Sequence, residues 1–228
     1  MLKRYAAFYA SLGLLILVTG CAGSYTPIRP ERIATYQASA ANAPIDFGYQ
    51  FDALRLHGRN KKYLKHEAKK GYHVAAVRVT NRTGRELNFS RDLDLIYGDR
   101  PITPVAAPTA ARDLRQGVAI YLLYLPLTFT PAAGSTPFPI GPFIAGGNML
   151  GAALANGNLR KEFETFDLTN RTIKPGETVY GILSLRETAV APMRLELRPG
   201  PGSTYVPAPA PAPAAMPTPP AASPNRNE

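Results

Sequence analysis

The sequence predicts a mainly β fold, an antiparallel β-sandwich carrying an apolar, partly helical insert. Three observations predict it. Short runs at 47–56, 72–80, 87–97, 178–185 and 193–197 alternate apolar and other residues or are rich in β-branched ones, as strands do. Turn chemistry separates them, as in Asn81-Arg82-Thr83-Gly84 and Lys174-Pro175-Gly176-Glu177. One long stretch, 116–159, breaks the pattern because it is apolar and wholly uncharged.

Composition narrows the function classes. The chain has 228 residues and a net charge of 26 − 16 = +10. That length suits one domain with residues to spare for a leader and a tail. The single cysteine excludes an internal disulfide and any Cys-clustered zinc or iron–sulfur site. Three histidines leave little material for a metal centre, and no cofactor is expected.

Residues 1–20 read as a signal peptide. Lys3 and Arg4 form a basic start, residues 6–18 an uncharged apolar stretch, and Gly20 a small-residue exit. The apolar stretch falls short of the roughly 20 residues a membrane span needs. Leu17-Val18-Thr19-Gly20-Cys21 resembles the bacterial lipobox, with Val18 and Thr19 as its less usual members. The resemblance implies diacylglycerol transfer to the Cys21 thiol, cleavage between Gly20 and Cys21, and acylation of the new amine. Several acyl chains on one residue make a durable anchor, where one holds weakly. Ala22 rather than Asp after the cysteine implies the outer membrane, and a domain facing the periplasm is expected. The mature chain would keep 208 residues and a charge of +8, since the leader removes 20 residues and two cations. In that compartment anionic lipid, peptidoglycan or another envelope protein is the expected partner, and nucleic acid is not.

Residues 21–44 are small and polar, with Pro27, Pro30 and Pro44, and read as the lipidated cysteine and a flexible tether. Residues 45–198 carry the periodic patterns and form the domain. A further strand is expected at 163–169. The tail, 199–228, holds 10 of the 23 prolines and is expected to be a polyproline spacer or disordered. The strand VAAVRVTNRTGREL and the strand PGETVYGILSL resemble those of immunoglobulin-like sandwiches in bacterial envelope lipoproteins. The resemblance implies a fold and leaves function open.

The insert, 116–159, runs 44 residues without Asp, Glu, Lys or Arg, where about eight would be expected at average usage. Its first block, VAIYLLYLPLTF, includes Leu122, Leu123 and Leu125. Its second contains a helix candidate from about Phe143 into Phe163, on which Gly147, Gly151 and Ala155 recur every four residues. Small residues at that spacing let another backbone approach closely. Three readings compete: a helical layer packed over the sandwich, an interfacial hairpin dipping into the membrane beside Cys21, and an oligomer or partner interface.

A second feature is cationic. NKKYLKHEAKK forms about two helical turns with Lys61, Lys65 and Lys69 at four-residue spacing, and Lys62, His66 and Lys70 likewise. It is either a contact for an anionic partner at the membrane surface or a solvated connection between strands. His57, His66 and His73 lie nine and seven residues apart, which fits no usual zinc pattern. Asp92, Asp94 and Asp99 lack a second acidic cluster, and Ser90 and Ser184 lack a neighbouring His motif. No catalytic signature is present. The sequence therefore points to a non-enzymatic envelope lipoprotein, a structural or accessory binding module. An envelope hydrolase or its inhibitor, and a carrier of an apolar ligand, are the alternatives.

Overall fold

Strand β3, Tyr72–Asn81, reads YHVAAVRVTN and is buried on both sides. Its alternate residues feed two separate cores. Ala75, Val77 and Val79 enter one, while Tyr72, Val74 and Ala76 enter the other. A strand with two apolar faces needs a layer on each, and the remaining elements supply them. In this computed structural model residues 22–38, 44–56, 60–130, 136–187 and 189–199 are described.

The main sheet is antiparallel, in the order β1 (Gln37–Ala38), β2 (Ile45–Gln50), β3, β10 (Thr178–Arg186). Strand β10 runs the full length of β3, from Thr178 opposite Thr80 to Arg186 opposite Tyr72. A second antiparallel sheet, β11 (Met193–Leu197), β5 (Leu93–Tyr97) and β6 (Arg100–Ile102), lies on one face. Phe47, Tyr49, Val77, Val79 and Leu183 pack there against Leu93, Leu95, Met193 and Leu195. Short pairs β4 (Leu87–Asn88) with β9 (Thr172–Ile173), and β7 (Thr128–Phe129) with β8 (Phe138–Pro139), complete the strands among the described residues.

Helices cover the other face. They are α1 (Ala53–Leu56), α2 (Lys61–Lys70), α4 (Ala107–Leu114) and α5 (Gly141–Thr165), whereas α3 (Phe89–Asp92) puts Phe89 into the core between the two sheets. Leu159 and Phe163 of α5, Ala110 and Leu114 of α4, and Tyr63 of α2 meet Val74, Ala76 and Ile182 of the sheet. The N–H of Ile182 donates to Phe166 O at 2.9 Å, which ties the end of α5 to β10. Helix α2 ends where Gly71 takes φ 64° and donates to the Ala68 and Glu67 carbonyls, a left-handed cap that glycine adopts without strain.

Several expectations are corrected. Among the described residues helix takes 37% and strand 30%, so the fold is mixed α/β rather than plainly all-β. The sheets are antiparallel as expected, none of them is closed, and a helical layer covers the second buried face of β3. The run at 47–56 stops being a strand at Gln50; Asp52 has φ 54° and α1 follows. The run at 87–97 is broken by α3, where the Asn88 side chain caps by accepting from the Arg91 N–H. Asp92 turns back to accept the Asn88 N–H, so its carboxylate serves the local turn. The expected strand at 163–169 is instead the last three residues of α5 and the connection that follows it.

The tether expectation for 21–44 changes most. Tyr25 and Ile28 are buried, and Pro30–Arg32 forms a 3-10 turn. Residues 22–38 are thus part of the fold. The signal peptide 1–20, Cys21 itself, His57 and all of the tail beyond Pro199 lie outside the described residues.

Candidate functional site

The segment after Cys21 lies in a groove made by side chains from four places in the chain. The Ala22 N–H donates to Asn148 Oδ1 at 2.8 Å. Gln116 grips the next residue from both sides: its Oε1 accepts the Gly23 N–H at 3.1 Å, and its Nε2 donates to Gly23 O at 2.6 Å. Asn60 treats Thr26 the same way, at 2.8 and 2.9 Å. A side-chain amide carries donor and acceptor together, so it pairs with a peptide unit as a neighbouring strand would.

Farther along, Glu162 accepts the N–H groups of Ile28 and Arg29 at 3.0 and 2.8 Å and the hydroxyl of Tyr25. Burial, then the Glu162 carboxylate, pushes the Tyr25 hydroxyl well above its ordinary pKa, so it stays a donor. The Tyr25 ring meets Tyr63 edge-on, with centroids 5.3 Å apart. The clamps are themselves held. Gln116 exchanges two backbone bonds with the Asn156 amide, and its Nε2 also donates to Tyr63 Oη. Asn60, Gln116 and Asn148 are each at most 2% exposed, so losing a partner would leave a buried polar group unsatisfied.

Beside this groove stands an apolar lobe. It consists of a 3-10 helix, Ala119–Tyr124, the β7–β8 pair and the first half of α5. Leu123 is 71% exposed, Leu150 62%, and Phe143 and Leu154 61% each. Ile120, Leu122, Leu125, Leu127, Phe129 and Phe138 are also exposed. The lobe is nevertheless built tightly. Tyr121 is buried and stacks on Tyr124, and Phe138 stacks on Phe143 at 6.0 Å. The Gly141 N–H donates to Leu127 O, and a Cβ on Gly141 would fall 2.2 Å from Tyr124 O.

The small-residue stripe does not form one free face. Gly147 is exposed, Gly151 lies half-buried against Ala22, and Ala155 is buried on the sheet side. Steps of four residues advance about 40° around a helix, so three such residues spiral from solvent into the core. The buried side of α5 is instead Ala145, Asn148, Ala152, Ala155, Leu159, Glu162 and Phe163, of which Ala155, Leu159 and Phe163 meet the sheet. Among the described residues no helix is long and apolar enough to cross a membrane.

The basic segment is helix α2. Lys61, Lys65, Lys69 and Lys70 are exposed. Lys62 reaches the lobe, where its Nζ donates to Tyr121 Oη at 2.5 Å. At the far end an open cleft is lined by His66, Lys69, Lys70, Arg112, Asp113 and Arg115. Asp113 accepts from Tyr72 Oη and faces Lys70 and Arg186; the Tyr72 bond in particular holds its carboxyl below the usual range. Burial and the neighbouring lysines lower the His66 pKa.

The residues tested for chemistry do not converge. Ser90 donates to Thr169 O, Ser184 is buried in β10, and His73 sits on β3 opposite Leu185. No metal-capable group of three His, Cys, Asp or Glu exists among the described residues. The space between α5 and the sheet, where a carried ligand would lie, is filled by Ala155, Leu159, Phe163, Val74 and Ile182.

Sequence reasoning missed Asn60, Gln116, Asn148, Asn156 and Glu162. One signal was present: Glu162 falls between Leu159 and Phe163 on an apolar helix face, where a carboxylate needs partners. No family model, curated protein or solved structure matches the chain.

Proposed function

We propose that the chain is a non-enzymatic cell-envelope lipoprotein, a structural or accessory binding module held at the outer membrane by acylated Cys21, its domain facing the periplasm. The observation that carries this reading is the clamp on Ala22 and Gly23. It lets the domain begin one residue after the only cysteine. An anchor there needs no flexible spacer and holds the domain flush with the bilayer. High local concentration at the membrane then lets weak contacts to envelope protein, peptidoglycan or anionic lipid suffice. The exposed lysines of α2 supply attraction for an anionic partner. An immunoglobulin-like relationship of the two packed sheets belongs to the same proposal, supported by their antiparallel pairing and shared core.

Mass spectrometry of the amino-terminal peptide from membranes tests the anchor. The expected peptide begins at Cys21 with a thioether-linked diacylglycerol and an amide-linked acyl chain, and Cys21→Ala loses both. A peptide with a free Cys21 thiol overturns the reading.

A further inference from the structure

We infer that the apolar lobe seats in the lipid bilayer, in the leaflet that holds the acyl chains of Cys21. This rests on the lipoprotein reading. Ala22 is pinned to Asn148 at 2.8 Å, and the Cα of Cys21 can lie only about 3.8 Å from that of Ala22. Ala22 also lies against Gly151, and Leu154 follows Gly151 by three residues, a rise of about 4.5 Å and a turn of about 60° around the helix. The acyl chains therefore leave the protein beside the exposed Leu154.

Phe143, Gly147, Leu150 and Leu154 follow one another along the exposed side of α5, while Ala145, Ala152 and Ala155 line the buried side. The helix has no charge before Arg160. An uncharged helical stretch with an apolar outer side belongs in a protein core or in lipid, and this one has a core on one side alone. From Gln116 to Leu159 the lobe's own residues carry no charge.

Lysines occur where the lobe ends, on α2, and Lys62 reaches it through Tyr121. Tyrosines and lysines beside an apolar surface match the headgroup level of a bilayer, where a Lys stem lies along apolar surface and its ammonium meets phosphate. The outcome is a monotopic seat, an apolar face sunk into the interface of one leaflet.

The test uses the mature, processed chain in vesicles of phosphatidylethanolamine and phosphatidylglycerol. Nitroxide labels are introduced at Leu123→Cys, Leu150→Cys and Leu154→Cys, with Glu86→Cys and Lys174→Cys as exposed controls in turns elsewhere. Collisions with oxygen, concentrated in hydrocarbon, and with a water-soluble nickel chelate give label depth. The expected result is that the lobe labels gain oxygen collisions and lose the chelate, while the controls keep the chelate. Lobe labels that collide with the chelate as freely as the controls on vesicle-bound protein overturn the inference. So do lobe labels that lose both collisions and broaden one another, which would mean that a second copy covers the face. The wild-type chain scores the anchor separately. If Cys21 is acylated the wild type takes no label; if it labels, the lipoprotein reading fails and the lobe positions are read in a Cys21→Ser background.

Discussion

The carboxylate of Glu162 accepts the backbone N–H of Ile28 at 3.0 Å, joining residues 134 apart in sequence. The same carboxylate takes the Arg29 N–H and the Tyr25 hydroxyl. One side chain on α5 thus satisfies three donors on a segment with little hydrogen-bonding structure of its own. Glu162→Ala leaves the three donors without their acceptor and is expected to cost about 3 kcal/mol in urea unfolding. Glu162→Gln keeps one acceptor oxygen and should lose less than half of that.

Gln116→Leu removes both bonds to Gly23 while preserving side-chain bulk. The expected cost is about 1–3 kcal/mol, because the Gly23 groups and Tyr63 Oη lose a partner away from bulk water. Limited proteolysis should then cut between residues 22 and 27 faster than in the wild type. An unchanged cleavage rate would mean that the clamp does not hold the segment in solution.

Stability should fall as pH rises through the range where Glu67 titrates. Burial pushes its carboxyl from 4.5 up to about 7, against the Val74 N–H that it accepts at 2.8 Å; Asp52 adds to the rise and Arg55 opposes it. Unfolded, Glu67 ionises near its ordinary value, whereas folded it keeps its proton to about 7. The native state holds the extra proton between those values. Its contribution, about 3 kcal/mol, is present below pH 4.5 and is lost by pH 7 and above. Glu67→Gln, measured by urea midpoints across that window, should flatten the slope.

Two glycines of one helix should respond to alanine with opposite signs. At Gly147 a Cβ meets nothing within 4 Å, so Gly147→Ala should stabilise by about 0.5–1 kcal/mol through helix propensity. At Gly141 it would strike the Tyr124 and Leu125 carbonyl oxygens at 2.2 and 2.3 Å. Gly141→Ala should therefore destabilise by about 1–3 kcal/mol and loosen the lobe. Thermal unfolding of the two variants checks both signs.

Lobe and core leucines and phenylalanines should differ as sharply. Leu123→Ser or Leu150→Ser should change unfolding free energy in water by no more than about 0.5 kcal/mol, since those side chains are mostly exposed. Phe163→Ala, at 1% exposure between α5 and the sheet, should cost about 3–5 kcal/mol. A large loss at Leu123 would mean that the lobe surface is a folding contact.

What the sequence determined by itself was the local periodic structure and the exceptional block. Strands at 72–80, 178–185 and 193–197, helix α2, and the helix through 143–163 were legible because a two- or 3.6-residue apolar period survives in one dimension. So was the uncharged run 116–159. The interruption at Phe89–Asp92 was not legible, since a single helical turn barely disturbs an alternating run of eleven residues. Only the tertiary structure decided which layer each apolar side meets: β3 needed two covers, and α5 has a cover for one side alone. It alone joined Asn60, Gln116, Asn148 and Glu162 around residues 22–29, because a buried amide or carboxylate acquires its meaning from a backbone group distant in the chain.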